Sequence, residues 1–247
     1  MSLSEEQLER YNRQILLSEV GIVGQKKLYE AKVLIIGVGG LGSPIAYYLA
    51  AAGIGTIGLA DSDDVDLTNL HRQIIHFTDN LFLPKVISAK EKINQLNPEV
   101  NVVAHHLRVS TENIEKLIKE YDFIIDATDN FASKFLINDA CVKNQKAFSH
   151  GGVLNFEGQT MTYIPGSACY RCIFKEEPEI TNSELKARQA ILGSIAGILG
   201  SIQATEALKY ILNIGELLVN KLLTFNSLDM KFRVIEITKN DNCLVCS

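Results

Sequence analysis

Positive charge is in short supply: 24 Lys and Arg face 29 Asp and Glu over 247 residues, a formal net charge of −5. That balance gives no general attraction to nucleic acid or to anionic lipid, so any anion site must be built locally. Long apolar runs are missing too, since none reaches the roughly 18 uncharged residues of a membrane span. The nearest, AILGSIAGILGSIQATEALKYIL, is interrupted by Gln203, Glu206 and Lys209. It reads as a buried helix packed closely through Gly193 and Gly197, at GxxxG spacing. The opening MSLSEEQLERYNRQ is polar and acidic, without the apolar centre of a leader, so a cytoplasmic location is expected. There is no tandem repeat and no low-complexity segment. What is present is 47% apolar residues, ample for the core of a single domain over 1–247.

Ser4 followed by Gln7 fits a capping box, so a helical segment opens residues 1–30. AKVLIIG predicts a buried strand, LGSPIAYYLAAAG a helix ending near Gly53, and TIGLAD a second strand. PKVISAKEKINQLN predicts a helix opened by Pro84, followed by the strand VNVVAHH, the helix TENIEKLIKE and the buried strand FIIDA. Such alternation with near-continuous apolar strands implies an α/β fold: a Rossmann-like, doubly wound, mostly parallel sheet, with 31–146 as the nucleotide-binding half. From about Ala147 the pattern changes. AFSHGGVLNFEGQTMTYIP predicts two strands joined near Asn155 to Gly158, and KLLTFNSLDMKFRVIEI two more around Ser227 to Asp229. These extend the sheet with antiparallel strands in 147–247. The charged, weakly periodic KEEPEITNSELKARQ, about 175–189, reads as an exposed, mobile crossover loop.

Gly37, Gly39 and Gly42 satisfy GxGxxG between a strand and a helix, where close backbone approach and unpaired helix N–H groups suit a phosphate. Asp61, at the end of the second strand, is placed to accept hydrogen bonds from ribose hydroxyls. By themselves these features would equally suit NAD. The loop DSDDVDLTNLHRQ then adds Asn69 and Arg72, and Lys85 follows Pro84 in the first turn of a helix, where the helix dipole disfavours a cation. Together they point to more phosphate charge than a dinucleotide carries. In DATDN, Asp126 and Asp129 stand just past another strand, with Asn130 beside them. Asp129, near a polyphosphate, is the expected Mg²⁺ ligand, while Asp126 is closer to the strand interior and suited to bonding nearby backbone groups.

Four of the five cysteines form two CxxC pairs, Cys169 with Cys172 and Cys243 with Cys246. Two such pairs make a four-cysteine zinc site, structural because four thiolates leave no open position. Two disulfides are the competing reading, and a cytoplasmic setting favours zinc. Cys141 reads as a core cysteine. His105, His106 and His150 show no partner that marks a base.

RYNRQ, GVGGLGSP, DSDDVDLTNLHRQ, PKV, DATDN, CYRC and CLVC, collinear from Arg10 to Cys246, resemble the MoeB/ThiF/HesA family, bacterial relatives of ubiquitin-activating enzymes. The resemblance implies an adenylyltransferase, typically a homodimer. Using ATP and Mg²⁺, it would activate the C-terminal glycine of a ubiquitin-fold sulfur carrier ending in Gly-Gly, for molybdopterin or thiamine biosynthesis. It would make Gly39 and Gly40 part of the nucleotide cradle, Asp61 the ribose ligand, Asn69, Arg72 and Lys85 phosphate contacts, and Asp129 the Mg²⁺ holder. Arg13 would reach the phosphates in the neighbouring subunit. Many relatives carry a crossover-loop cysteine that bonds to the carrier; here its place is Lys186, and no cysteine lies between Cys172 and Cys243. That departure tilts the reading toward a MoeB-like activity, without a covalent adduct and with sulfur from a separate donor protein. The same chemistry on a tRNA base or peptide terminus, and an NAD-dependent oxidoreductase, are the alternatives.

Overall fold

The alternation of Val33 and Ile35 with Leu34 and Ile36 decides the architecture. All four are buried in β1 (Lys32–Ile36), yet the first two belong to one apolar cluster and the second two to another. Successive strand residues point to opposite faces, so both faces of the sheet are covered. The computed structural model describes residues 3–177 and 190–247. The expected crossover loop falls mainly at 178–189, Lys186 with it, outside the described residues.

Among the described residues, one eight-stranded sheet has the order β3-β2-β1-β4-β5-β6-β7-β8. β2 (Thr56–Asp61), β3 (Asn101–His106), β4 (Phe123–Asp126) and the start of β5 (Ala147–Leu154) join β1 in parallel. β6 (Glu157–Tyr163), β7 (Lys221–Asn226) and β8 (Lys231–Glu236) extend it antiparallel. The expected change of pattern at Ala147 is therefore the point where the parallel sheet turns antiparallel.

Helices α1 (Glu5–Arg10), α2 (Asn12–Ile15) and α3 (Gly21–Glu30) precede the sheet. The capping box of α1 is formed: Gln7 N donates to Ser4 Oγ at 3.1 Å, and Ser4 N to Gln7 Oε1 at 2.9 Å. α4 (Gly42–Ala52) ends on Gly53, whose φ of +82° closes the helix in the left-handed region. Next come α5 (Lys85–Leu96), α6 (Ile114–Lys119), α7 (Phe131–Lys143), the one-turn α8 (Tyr170–Ile173) and the long α9 (Gly193–Leu212). No helix of the described chain is long and apolar enough to cross a membrane.

The close-packed glycines of α9 differ from the expected pair. A Cβ on Gly193 would stand 2.4 Å from His71 O, and one on Gly200 would stand 2.6 Å from Leu41 O, whereas Gly197 has open space beside it. Two helical turns separate Gly193 from Gly200, so one face of α9 meets the His71 loop and the Leu41 loop, the latter together with Pro44 of α4. Both loops lead into the cleft described next.

Candidate functional site

β1 ends at Ile36 and the chain must then reverse into α4 against the end of β4. Gly37 does this with φ +96°, and a Cβ there would lie 2.6 Å from Ala127 O. Gly42 holds the returning helix so closely that a Cβ would lie 2.1 Å from Gly37 O. Gly42 is thus a packing residue and lies outside the cleft lining, while Gly37, Gly39 and Gly40 line it. Asp61 fastens this loop to the next one. Its Oδ2 accepts from Val38 N at 2.8 Å and its Oδ1 from Asp63 N at 2.9 Å.

The cleft, about 1690 Å³, runs along the carboxyl ends of the parallel strands, where open α/β sheets bind ligands. Asp61, Arg72, Lys85, Asp129 and Asn130 line the same cleft. The stem of Arg72 passes beside Gly40, where a Cβ would be 3.6 Å from Arg72 Cγ. Its guanidinium donates to Thr68 O at 3.0 Å. Lys85 opens α5 and is only 6% exposed, with its Nζ 2.8 Å from Asp63 Oδ2 and its backbone N 2.9 Å from Asp63 O. Asn69 follows the lining residue Thr68 in the same loop, where its Oδ1 accepts from Asp66 N at 3.3 Å in the capping box of a 3-10 turn, and it is not itself among the lining residues. Arg13 is exposed on α2 and also lies outside the lining.

Asp126 is buried and richly partnered. Oδ1 accepts from Thr128 N at 3.0 Å and from Thr128 Oγ1 at 2.6 Å, which is the local backbone bonding expected of it. Oδ2 takes two further partners, Lys134 Nζ at 3.4 Å and His150 Nδ1 at 2.9 Å. Burial works against the charge, but Lys134 and His150 hold the carboxyl at about 2. Burial and Lys134 push the His150 pKa down, so the imidazole is neutral and Lys134 supplies the balancing charge. The expectation that His150 lacks a partner is therefore corrected. The pairing of β4 with β5 sets Asp126 opposite His150, a juxtaposition that needs the strand register. Lys134 was missed because it stands a helix turn into α7 rather than in DATDN. Gln203 was missed because it belongs to α9; its Nε2 donates to Asp126 O at 3.0 Å and Ser149 O at 3.3 Å.

The four paired cysteines converge, with all their sulfurs within 4.8 Å of one another. Cys169 Sγ is 3.7 Å from Cys243 Sγ, and Cys172 Sγ is 3.4 Å from Cys246 Sγ. Bonds of about 2.3 Å to a tetrahedral ion would place sulfurs about 3.8 Å apart, so the set fits zinc. All of these cysteines are free, as is the buried Cys141, whose thiol burial pushes up. Arg171, inside the first knuckle, grips Asp139 of α7 through Nε to Oδ1 at 2.7 Å and through a guanidinium nitrogen to Oδ2 at 2.8 Å. Asp129, exposed at the tip of its turn, offers the hard oxygen ligand that Mg²⁺ takes.

The ThiF family matches residues 11–245 of the chain. Adenylyltransferase and sulfurtransferase MOCS3 of Anopheles gambiae is 43% identical over 247 residues, covering 99% of this chain and 56% of the relative. The chain thus spans about half the length of that relative. Sulfur carrier protein adenylyltransferase of Thermus thermophilus is 37% identical, covering 100% of this chain and 93% of the relative. A crystal structure of E. coli MccB with ATP matches with a TM-score of 0.84 at 26% identity, over 96% of this chain and 73% of that one.

Proposed function

The chain belongs to the ThiF family, and on that premise we propose that it is an ATP-dependent adenylyltransferase, acting in the cytoplasm as a homodimer. Its substrate is the C-terminal glycine of a ubiquitin-fold sulfur carrier ending in Gly-Gly. The observation that carries this reading is the cleft itself. A glycine loop, two cations and an exposed carboxylate share its nucleotide end, and the cleft continues over Gln159, Thr224 and Arg233 toward the exposed β8. A slender terminus can thread along that floor to the nucleotide.

In the reaction, a carboxylate oxygen of the terminal glycine attacks the α-phosphorus. The bond from that phosphorus to the bridging oxygen breaks, and pyrophosphate leaves. No side-chain nucleophile is needed, because orientation and charge stabilisation supply the acceleration. Gly39 and Gly40 let the backbone approach the phosphates, Asp61 holds the ribose, and Arg72 and Lys85 stabilise the developing negative charge. Asp129 would hold Mg²⁺, which when bound would supply positive charge for the leaving pyrophosphate. The four-cysteine set would hold zinc as a clip between chain segments, with no role in the chemistry. Arg13 acts in the cleft of the second subunit, and Asn69 supports the loop that carries Arg72. Sulfur comes from a separate donor, in line with a molybdopterin-type pathway.

The deciding experiment is ATP–pyrophosphate exchange with ubiquitin-fold proteins ending in Gly-Gly, beside a free peptide and a tRNA. Exchange stimulated by a ubiquitin-fold protein and lost when its last glycine is removed is the expected result. Exchange stimulated only by the peptide or the tRNA would overturn the choice of substrate, and binding of NAD in place of ATP would overturn the chemistry.

A further inference from the structure

We propose that Lys134 is a positioning residue, which fixes the two strand ends that carry Asp129 and Gly152 into the cleft. It goes beyond the adenylation reading and rests on two parts of it, that ATP is the ligand and that Asp129 would hold Mg²⁺.

Lys134 borders the cleft but is buried, and its charge points inward. Nζ lies 2.7 Å from Thr128 O, 2.6 Å from Gly151 O and 3.4 Å from Asp126 Oδ2. An ammonium has three N–H donors, so these partners leave none for a phosphate. The two shortest contacts go to main-chain carbonyls. Thr128 is the residue before Asp129, and Gly151 is the residue before Gly152, which lines the cleft. In a trans peptide the C=O and the following N–H point in opposite directions, so holding Thr128 O also sets the plane from which Asp129 projects.

The same two strand ends are tied by neighbours. Asp126 grips Thr128 through both its N and its Oγ1 and also takes His150 Nδ1 from β5. Gln203 joins Asp126 O to Ser149 O. The ring of Tyr170 packs 4.5 Å from that of His150 and helps keep the cluster dry. A pair that served folding alone would need only its opposite charge, whereas Lys134 makes its closest bonds to the backbone of the cleft wall.

The test is ATP binding by calorimetry, with EDTA and with excess Mg²⁺, on the full chain. The double variant Lys134→Met/Asp126→Asn removes both charges together and leaves neither buried alone. It is expected to bind ATP in EDTA within about threefold of the wild type, because no side chain of the cluster bonds to the glycine loop or to Asp61, and the contact of Gly37 with Ala127 is made through the backbone. The gain in affinity on adding Mg²⁺ should fall by about 10-fold or more, the usual cost of losing a group that orients a metal ligand. Lys134→Arg should keep most of that gain. If the double variant does not fold, Lys134→Gln is read in the same way. An undiminished Mg²⁺-dependent gain in the neutral variant would overturn the proposal. Failure of pyrophosphate exchange in the wild type would count against the carrier reading alone, and a wild type that binds no ATP would overturn both.

Discussion

Lys85 Nζ lies 2.8 Å from Asp63 Oδ2, the ammonium buried and the carboxylate mostly in solvent. The pair keeps a cation aimed along the cleft wall before any phosphate arrives. Lys85→Ala should reduce pyrophosphate exchange by about 10²-fold, and Arg72→Ala by a similar factor. Near-normal exchange in either variant would remove that residue from the chemistry.

The glycines of the loop should separate by function. Gly42→Ala forces a methyl against Gly37 O and should cost stability, about 1–3 kcal/mol or more, read as a lowered melting temperature. A Cβ on Gly39 meets nothing nearer than Gln73 Nε2 at 3.5 Å. Gly39→Ala should therefore melt like the wild type and bind ATP roughly tenfold more weakly, because the methyl occupies space the phosphates use. Equal melting temperatures in the two variants would contradict this division.

Stability should fall with acid in two stages. Burial, and Lys134 beside it, depress the His150 pKa, so below about pH 6.5 the unfolded chain binds a proton that the native chain refuses. Asp126, held at about 2 against about 3.9 when unfolded, removes further stability as the pH falls from about 4 to 2. Each stage has a slope of at most about 1.4 kcal/mol per pH unit. His150→Gln should flatten the upper stage and reduce the lower one, because it also removes a group that holds the Asp126 carboxyl down; melting curves from pH 7 to 2 decide it.

Purified protein should carry one zinc ion per chain, measured by plasma mass spectrometry. Cys246→Ser should lose it and lower the melting temperature, and binding should weaken in acid as protons compete for the thiolates. Metal-free wild type that melts normally would refute a structural role.

Mixing Arg13→Ala with Lys85→Ala tests the shared site. If Arg13 acts across a twofold interface, random exchange of subunits should restore about a quarter of wild-type activity, since half the dimers are mixed and each has one intact cleft. No recovery, with exchange of subunits verified, would return Arg13 to a surface role.

Much of this was legible because single segments carried it. The loop from Gly37 to Gly42 sits between its strand and helix in the sequence itself, and each CxxC brings two thiolates within one turn. Asp126, Lys134, His150 and Gln203 lie on four different elements, and only the strand order and the packing of α7 and α9 bring them together. Of the expected pair only Gly193 is closely packed, since Gly197 has open space beside it, and the partner surface is the His71 loop together with the start of α4 at Leu41 and Pro44. The contact therefore repeats at seven residues, through Gly200.

Asp61 has one consequence for kinetics. With Val38 N on one oxygen and Asp63 N on the other, the carboxylate already joins the glycine loop to the acidic loop. Each oxygen keeps a second lone pair in a fixed direction, so an arriving ribose meets a finished surface. Binding then forfeits the motion of the nucleotide but little of the protein's, and association should be a single fast step without a slow ordering phase.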